Sequence, residues 1–147
     1  MSEFNDLIKI EANVLKKIKN HAMKGYNENK SEVIGYLIGV FKENSIEIKD
    51  IIIPDQIASS YHAEITDERA LINYIENNKS NYVQVGWYHS HPNIGCFLSN
   101  IDIPTQKYWQ HINNRMIALV IDPINNELKV FRLNNKDQTY ELPVKKI

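Results

Sequence analysis

Cysteine is nearly absent from this 147-residue chain; Cys96 is the only one. An internal disulfide and a zinc ribbon built from cysteines alone are therefore excluded. Long apolar runs are missing too. The longest nearly continuous one, Val33 to Phe41, falls far short of the ~20 residues that cross a bilayer as a helix, so no membrane partner is expected. The opening Met1-Ser2-Glu3-Phe4-Asn5-Asp6 has no basic stretch leading into an apolar one, so no secretory signal is read and a cytoplasmic location is expected. Arginine is scarce, 3 of 17 basic residues, and 18 acidic residues bring the net charge to −1. Nucleic-acid affinity comes mainly from an excess of Lys and Arg, so that partner class is excluded. No internal repeat and no Pro/Gly/Ser-rich linker divides the chain. What is present is ordinary for a globular protein: 43% hydrophobic and 24% charged residues. A length near ~150 residues is one domain's worth, 1–147, able to bury ~70% of its unfolded surface without a disulfide or an oligomer.

Hydrophobic periodicity orders the chain into strands and helices. Leu7 to Ile10 reads as a short edge strand. From Glu11 to about Asn27, Val14, Leu15, Ile18, Ala22, Met23 and Tyr26 recur at helical spacing, with Gly25 and Asn27 as the stop signal. Val33 to Phe41 reads as a fully buried strand, and Lys42-Glu43-Asn44 turns it into the alternating Ser45 to Ile53, a hairpin. Pro54 to Ile65 reads as an irregular polar loop, long enough to carry function. Thr66 is placed as an N-cap for a helix burying Leu71, Ile72 and Ile75. Val83 to His89 is another strand, followed by a Pro/Gly-containing loop to Asn100 and a helix carrying Tyr108, Trp109 and Ile112 to about Asn114. Met116 to Ile121 is a strand, Asn125-Asn126 a tight turn into Leu128 to Leu133, and Gln138 to Val144 extended. Hairpins mixed with helices point to an α/β fold with a mixed, largely buried sheet.

The chemistry concentrates in Gly86-Trp87-Tyr88-His89-Ser90-His91-Pro92, followed by Ser99 and Asp102. His89 and His91 stand two residues apart at a strand end, so their side chains leave one face ~7 Å apart at Cα and can converge on one ion. Pro92 stops the strand directly after them. Asp102, returning from the next helix start, can supply a third ligand. Two histidines and a carboxylate with an open fourth position describe a catalytic zinc site, one ion per chain. Ser99-x-x-Asp102 also matches a capping box. Pro104 argues against Ser99 as the N-cap, because it would then fall at the fifth helical position and break a hydrogen bond. The helix is expected to begin at Ile101 or Asp102, leaving Ser99 free in the loop, with a plain capping role still open for Asp102. Cys96 reads as a packed small side chain, and nothing in the spacing supports a Cys96/His91 nucleophilic pair. Hydrolysis also needs a base. Glu28, Glu32, Glu47 and Glu64 are available, and Glu32, directly before the buried strand, sits where desolvation can raise a carboxyl pKa.

Glu32, then His89-Ser90-His91-Pro92, then Ser99 and Asp102, is similar to the full signature of the JAMM (MPN+) metalloprotease family, every position filled. Val85 to Gln106, with Val120-Ile121-Asp122-Pro123 and Phe131-Arg132-Leu133, resembles its proteasome-lid and signalosome deubiquitinases in particular. The resemblance implies a single MPN domain, a mixed curved sheet flanked by helices. It implies zinc held by His89, His91 and Asp102, Glu32 as base and then acid, and Ser99 as oxyanion donor. It also implies cleavage after the Gly-Gly terminus of ubiquitin or a ubiquitin-like modifier, and a proteasome or MPN-type subunit as partner. An ending at Ile147 and a tight turn at Asn125-Asn126 resemble a minimal, archaeal-type member and put dependence on a partner in doubt. A scaffold role and hydrolysis of another peptide or sulfur-carrier substrate stand as the alternatives.

Overall fold

A computed structural model describes residues 5–60, 62–77 and 80–147. In chain order it contains β1 (Leu7–Ile10), α1 (Ala12–Asn29), β2 (Ile34–Phe41), β3 (Ser45–Ile52), β4 (Asp55–Ala58), β5 (Ala63–Asp67), α2 (Arg69–Asn77), β6 (Val83–Ser90), α3 (Asp102–Ile112), β7 (Ile117–Asp122), β8 (Glu127–Leu133), β9 (Thr139–Leu142) and β10 (Val144–Lys146). Eight strands form one mixed sheet in the order β10-β1-β3-β2-β6-β7-β8-β9, and β4 and β5 form a separate ribbon.

The stripe Val14, Leu15, Ile18 and Ala22 buries α1 against one face of the sheet, where it meets Ile8, Ile46, Leu37, Tyr88, Leu119 and Val130. The opposite face packs Tyr36, Trp87, Ala118, Val120 and Leu133 against Trp109 of α3 and Leu71 of α2. The sheet is thus buried on both sides, as the continuous apolar runs require. Gly25 does not end α1. A Cβ there would meet the Val33 side chain at 2.4 Å, so the glycine admits close packing in the last turn. The helix stops at Lys30, whose left-handed φ of 53° lets its N–H reach the Tyr26 carbonyl while Ser31 N–H reaches that of Gly25, a doubly bonded C-terminus.

The sequence reading needs correction at several elements. Leu7–Ile10 is not an edge strand, because β10 pairs with it in parallel on its outer side. Gln138 to Val144 is extended as read, but in two strands. Pro143 divides it, β9 pairing with β8 at one end of the sheet and β10 with β1 at the other. Ile8 N–H bonds the Pro143 carbonyl at 2.9 Å. The two ends of the sheet thus lie one residue apart along the chain, and the sheet curls to bring them there. Pro54 to Ile65 is largely the β4–β5 ribbon, turned by a Ser59 N–H to His62 carbonyl bond of 2.7 Å. Thr66 lies inside β5, and Asp67 supplies the side-chain bond to Arg69 N–H that starts α2. Of the three residues expected to bury that helix, Leu71 does so, while Ile72 and Ile75 are half exposed. No helix among the described residues is long and apolar enough to cross a membrane.

Gly35 lies opposite Tyr88 across the β2–β6 pair, and a Cβ there would stand 2.2–2.4 Å from the tyrosine ring. Tyr88 is itself held by a 2.6 Å bond between its hydroxyl and His21 Nδ1. Gly35→Ala should therefore cost about 1–3 kcal/mol of stability through overpacking, read as a lower urea midpoint with an unchanged slope.

Candidate functional site

β6 runs in the middle of the sheet, antiparallel to β2 and parallel to β7, with His89 opposite Ile34 and Val120. The pleat sends Trp87 and His89 to the α3 side and Tyr88 to the α1 side. The His89 ring stacks on Trp87 at 4.6 Å between centroids, 10° from parallel. Trp87 Nε1 donates to Gln106 Oε1 at 2.8 Å, and Gln106 Nε2 donates to the Met116 carbonyl and to Gln110 Oε1. This buried amide chain holds α3, and with it Asp102, against the sheet. His91 lies just past the strand; its backbone N–H bonds the Ile121 carbonyl at 2.8 Å and its ring packs on Phe97.

His89, His91 and Asp102 converge. The two histidine Nε2 atoms are 3.0 Å apart, and Asp102 Oδ2 lies 2.9 Å from the first and 3.2 Å from the second. All three residues are buried. Ligand atoms ~2.0–2.1 Å from a tetrahedral zinc would stand about 3.4 Å from one another, so this triangle is close to one face of such a site. His91 Nδ1–H donates to the Gly95 carbonyl at 3.2 Å, which turns the Nε2 lone pair of the neutral ring inward. The residues fit a metal ion with His₂-carboxylate ligation.

Asp102 is the first residue of α3, as expected, but Ser99 is not free. Its backbone N–H donates to Asp102 Oδ2 at 2.9 Å, and its Oγ accepts the Asp102 N–H at 3.2 Å. This is the reciprocal bonding of a capping box. The Ser99 carbonyl accepts both Asp102 and Ile103 N–H at 3.0 Å, and Ile101 already has helical backbone, ahead of Pro104. The hydroxyl proton of Ser99 remains a donor. Burial alone would raise the Asp102 pKa, yet the bonds from His89, His91 and Ser99 N–H outweigh it and hold the carboxyl far below the usual range. Burial depresses His89; for His91 it is outweighed by Asp102 and by the charge of Glu32.

Of the four candidate glutamates, Glu32 alone is both buried and in the field of this cluster. Burial pushes its carboxyl up to about 7, eased by His91 and reinforced by Asp102. Glu47 is paired with Lys42 and Lys49, and Glu64 and Glu28 face solvent. Cys96 is half-buried with its thiol pushed up to about 11 by burial. The ring nitrogens of His91 are meanwhile engaged by Gly95 and Asp102, so no nucleophilic pair forms between Cys96 and His91.

Three residues that hold the site were not singled out from sequence. Ser90, fully buried, accepts Val33 N–H on its Oγ at 2.8 Å and gives its own N–H to the Val33 carbonyl, fastening the segment after Glu32 to β6. Its place between the histidines was a signal, since the pleat must send it to the other face. Gln56 pairs its amide with both N–H and C=O of Ile34, while the Ser59 carbonyl takes Glu32 N–H at 2.8 Å. Nothing in the polar stretch around Gln56 announced this. The third is Asp122, which bonds the loop after His91.

The raised Glu32 pKa carries a stability signature. A carboxyl that binds its proton more tightly when folded loses stability as pH rises, here between 4.5 and about 7. The metal-free wild type should therefore weaken relative to Glu32→Gln across that window, the gap opening above its lower limit and levelling off beyond its upper one. Urea midpoints of both proteins at about pH 4, 6 and 8 check it.

A family model described as "JAB1/Mov34/MPN/PAD-1 ubiquitin protease" matches residues 4–115. The 26S proteasome regulatory subunit RPN11 of Eremothecium gossypii is 28% identical over 130 residues, 86% of this chain and 41% of that protein. The AMSH-like protease sst2 of Schizosaccharomyces pombe is 33% identical over 120 residues, 82% of this chain and 27% of its own length. Ubiquitin carboxyl-terminal hydrolase RPN11 of Saccharomyces cerevisiae is 32% identical over 99 residues, 65% of this chain and 32% of that protein. The chain thus spans well under half the length of these relatives. Matched by the family model over most of its residues, and carrying the histidine–carboxylate cluster just described, the chain belongs to the JAMM/MPN+ family and resembles its proteasome-lid deubiquitinases.

Proposed function

We propose that residues 1–147 act as one domain, a zinc-dependent isopeptidase that hydrolyses the bond after the C-terminal Gly-Gly of ubiquitin or a ubiquitin-like modifier. The observation that carries the reading is the convergence of His89, His91 and Asp102 within 3.2 Å, beside a buried Glu32 whose pKa is raised to about 7. A base poised near the working pH is the most effective one. The description of the family model and the name of the Saccharomyces cerevisiae relative, both of which name ubiquitin, support the substrate class. A cytoplasmic setting and a proteasome or MPN-type partner subunit belong to the same reading.

His89, His91 and Asp102 would hold the ion, which when bound supplies Lewis acidity and brings the pKa of water down towards ~7. Glu32 takes the proton of the attacking water, helped by the burial that favours its protonated form. Ser99 points its hydroxyl proton at the developing oxyanion, its lone pair already satisfied by Asp102 N–H. Glu32 then returns the proton to the departing lysine amine. A cleft of about 430 Å³ between β5 and α3, where apolar Ile34, Ile65 and Trp109 stand with His62, Glu64 and Thr105, suits an extended tail. Among the described residues β5 has one hydrogen-bonded neighbour, β4, so its other edge can take that tail as an added strand.

The test is metal analysis of the purified protein together with a panel of ubiquitin-type and other peptide conjugates, with and without chelator, the cut located by mass spectrometry. One zinc per chain and chelator-sensitive cleavage after Gly-Gly is the expected result. Stoichiometric zinc with cleavage only of another peptide would move the substrate assignment, and absence of zinc would leave a scaffold. Glu32→Gln should keep its zinc and lose ~10²–10⁴ in single-turnover rate, with little change in KM. His89→Ala and His91→Ala should lose the ion, and Asp102→Asn should bind it more weakly. Ser99→Ala should cost ~10²–10³ with zinc retained, because the backbone N–H that holds Asp102 survives.

A further inference from the structure

We infer that Asp122 is a positioning residue for the metal centre: its carboxylate holds the loop whose Gly95 carbonyl fixes the tautomer and aim of His91. The inference rests on the metal-binding reading above and adds to it a residue outside the ligand set.

Asp122 ends β7 and is fully buried, yet it has no cationic partner among the ion pairs of the described residues. Its charge is met by amides instead. Oδ1 accepts the backbone N–H of Asn93 at 2.9 Å, of Ile124 at 3.0 Å and of Asn125 at 3.1 Å. Oδ2 accepts Gly95 N–H at 2.9 Å and Asn125 Nδ2–H at 2.7 Å. Burial would raise its pKa, but these donors hold it at about 2, so it stays an acceptor on both oxygens. The bonds to Ile124 and Asn125 belong to the tight turn between β7 and β8 and would be expected of any aspartate opening such a turn. The bonds to Asn93 and Gly95 serve no turn. They reach 29 and 27 residues back along the chain, into the loop directly after His91.

That loop needs an anchor. Asn93 and Gly95 both have left-handed φ, 65° and 82°, and Gly95 has nothing within 4 Å of where a Cβ would stand, so no packing at that point of the turn fixes its backbone. Asp122 does, through the amide N–H on each side of the turn. The carbonyl of the same Gly95 residue accepts His91 Nδ1–H. The relay therefore runs from the Asp122 carboxylate through Gly95 to the His91 imidazole, and leaves Nε2 as the inward lone pair. The Gly95 carbonyl, one hydrogen bond removed from the ligand, is a partner of the kind that typically contributes ~10–100-fold to metal affinity, and Asp122 acts through it.

Asp122→Asn tests it. The amide keeps the volume, but either orientation turns an NH₂ group onto backbone N–H donors, so the bonds to one side of the loop are lost. Zinc Kd, measured by competition with a chromophoric chelator, should rise ~10–100-fold while circular dichroism shows the fold retained. The His91 Nδ1–H proton, bonded to the Gly95 carbonyl, should exchange with solvent faster in metal-free Asp122→Asn than in metal-free wild type, a change that a purely structural role of Asp122 would not produce. Gly95→Ala is the second variant: its side chain meets no atom, so the strain falls on the loop backbone, and the same rise in zinc Kd is expected. If a folded Asp122→Asn or Gly95→Ala keeps zinc Kd within about twofold of wild type and solvent exchange of His91 Nδ1–H is unchanged, the inference is wrong. Should the wild type bind no zinc at all, the metal reading falls, and the exchange measurement on metal-free protein still judges the role of Asp122.

Discussion

Where β6 ends decides nearly everything about this site. The strand lies between β2 and β7, so its last residues are flanked by backbone on both sides. Ile34 lies opposite His89 on one neighbour and Val120 on the other. Ser90 turns to the far face and ties Val33 to the strand, which sets Glu32 beside the histidines. His91, one step beyond the sheet, is still fastened to β7 through the Ile121 carbonyl. Side-chain atoms can be held to a few tenths of an ångström only when their backbones are this fully bonded, and rigid elements supply that precision better than loops do.

The arrangement is costly to the fold. Four titratable side chains, Glu32, His89, His91 and Asp102, are removed from water within one cluster, and His89 Nδ1 is buried with no hydrogen-bond partner among the described residues. Such groups weaken a native state unless something balances them. Apolar packing on both faces of the sheet does most of that. A second polar cluster ties distant parts of the chain together. Asp6, just before β1, is bonded by Arg115 and by the buried Arg132 of β8, and Arg115 also caps the Lys42 and Ser45 carbonyls of the β2–β3 turn. A buried ion cluster of this kind stabilises little by itself. Its geometry nonetheless locks the start of the chain to β8 and to the segment before β7.

The β4–β5 ribbon connects the segment of Glu32 to the cleft beside α3. It reaches the segment of Glu32 and Ile34 through the Ser59 carbonyl and the Gln56 amide, and its strand β5 lines the cleft beside α3. An element that is bonded to the segment of the proposed base on one side and can receive an extended chain on the other is well placed to bring the two into register. Its short strands and largely exposed residues make it one of the less firmly held parts of the fold, in contrast to the double-sided burial of β2, β6 and β7.

Local signals in the sequence were enough for the elements whose partners lie nearby. The α1 stripe, the β2–β3 and β7–β8 hairpins and the His-x-His at a strand end follow from side-chain periodicity alone, because a period of 2 or 3.6 is written into the chain itself. The clustering of His89, His91 and Asp102 was legible for the same reason, since the three lie within one short stretch. Glu32 needed a resemblance to be chosen over Glu28, Glu47 and Glu64, because its neighbours arrive through Val33 and Ser90, 57 residues apart. The ribbon went unread because a polar stretch such as Asp55-Gln56-Ile57-Ala58 alternates too weakly to declare a strand. Ile72 and Ile75 have helical spacing, but spacing cannot say which face of a helix finds a neighbour. Only the tertiary structure could bring β10 alongside β1, Gln56 onto Ile34 and Asp122 under the loop after His91. Pairings between distant segments depend on how the whole sheet curls, and no local pattern of residues encodes that curvature.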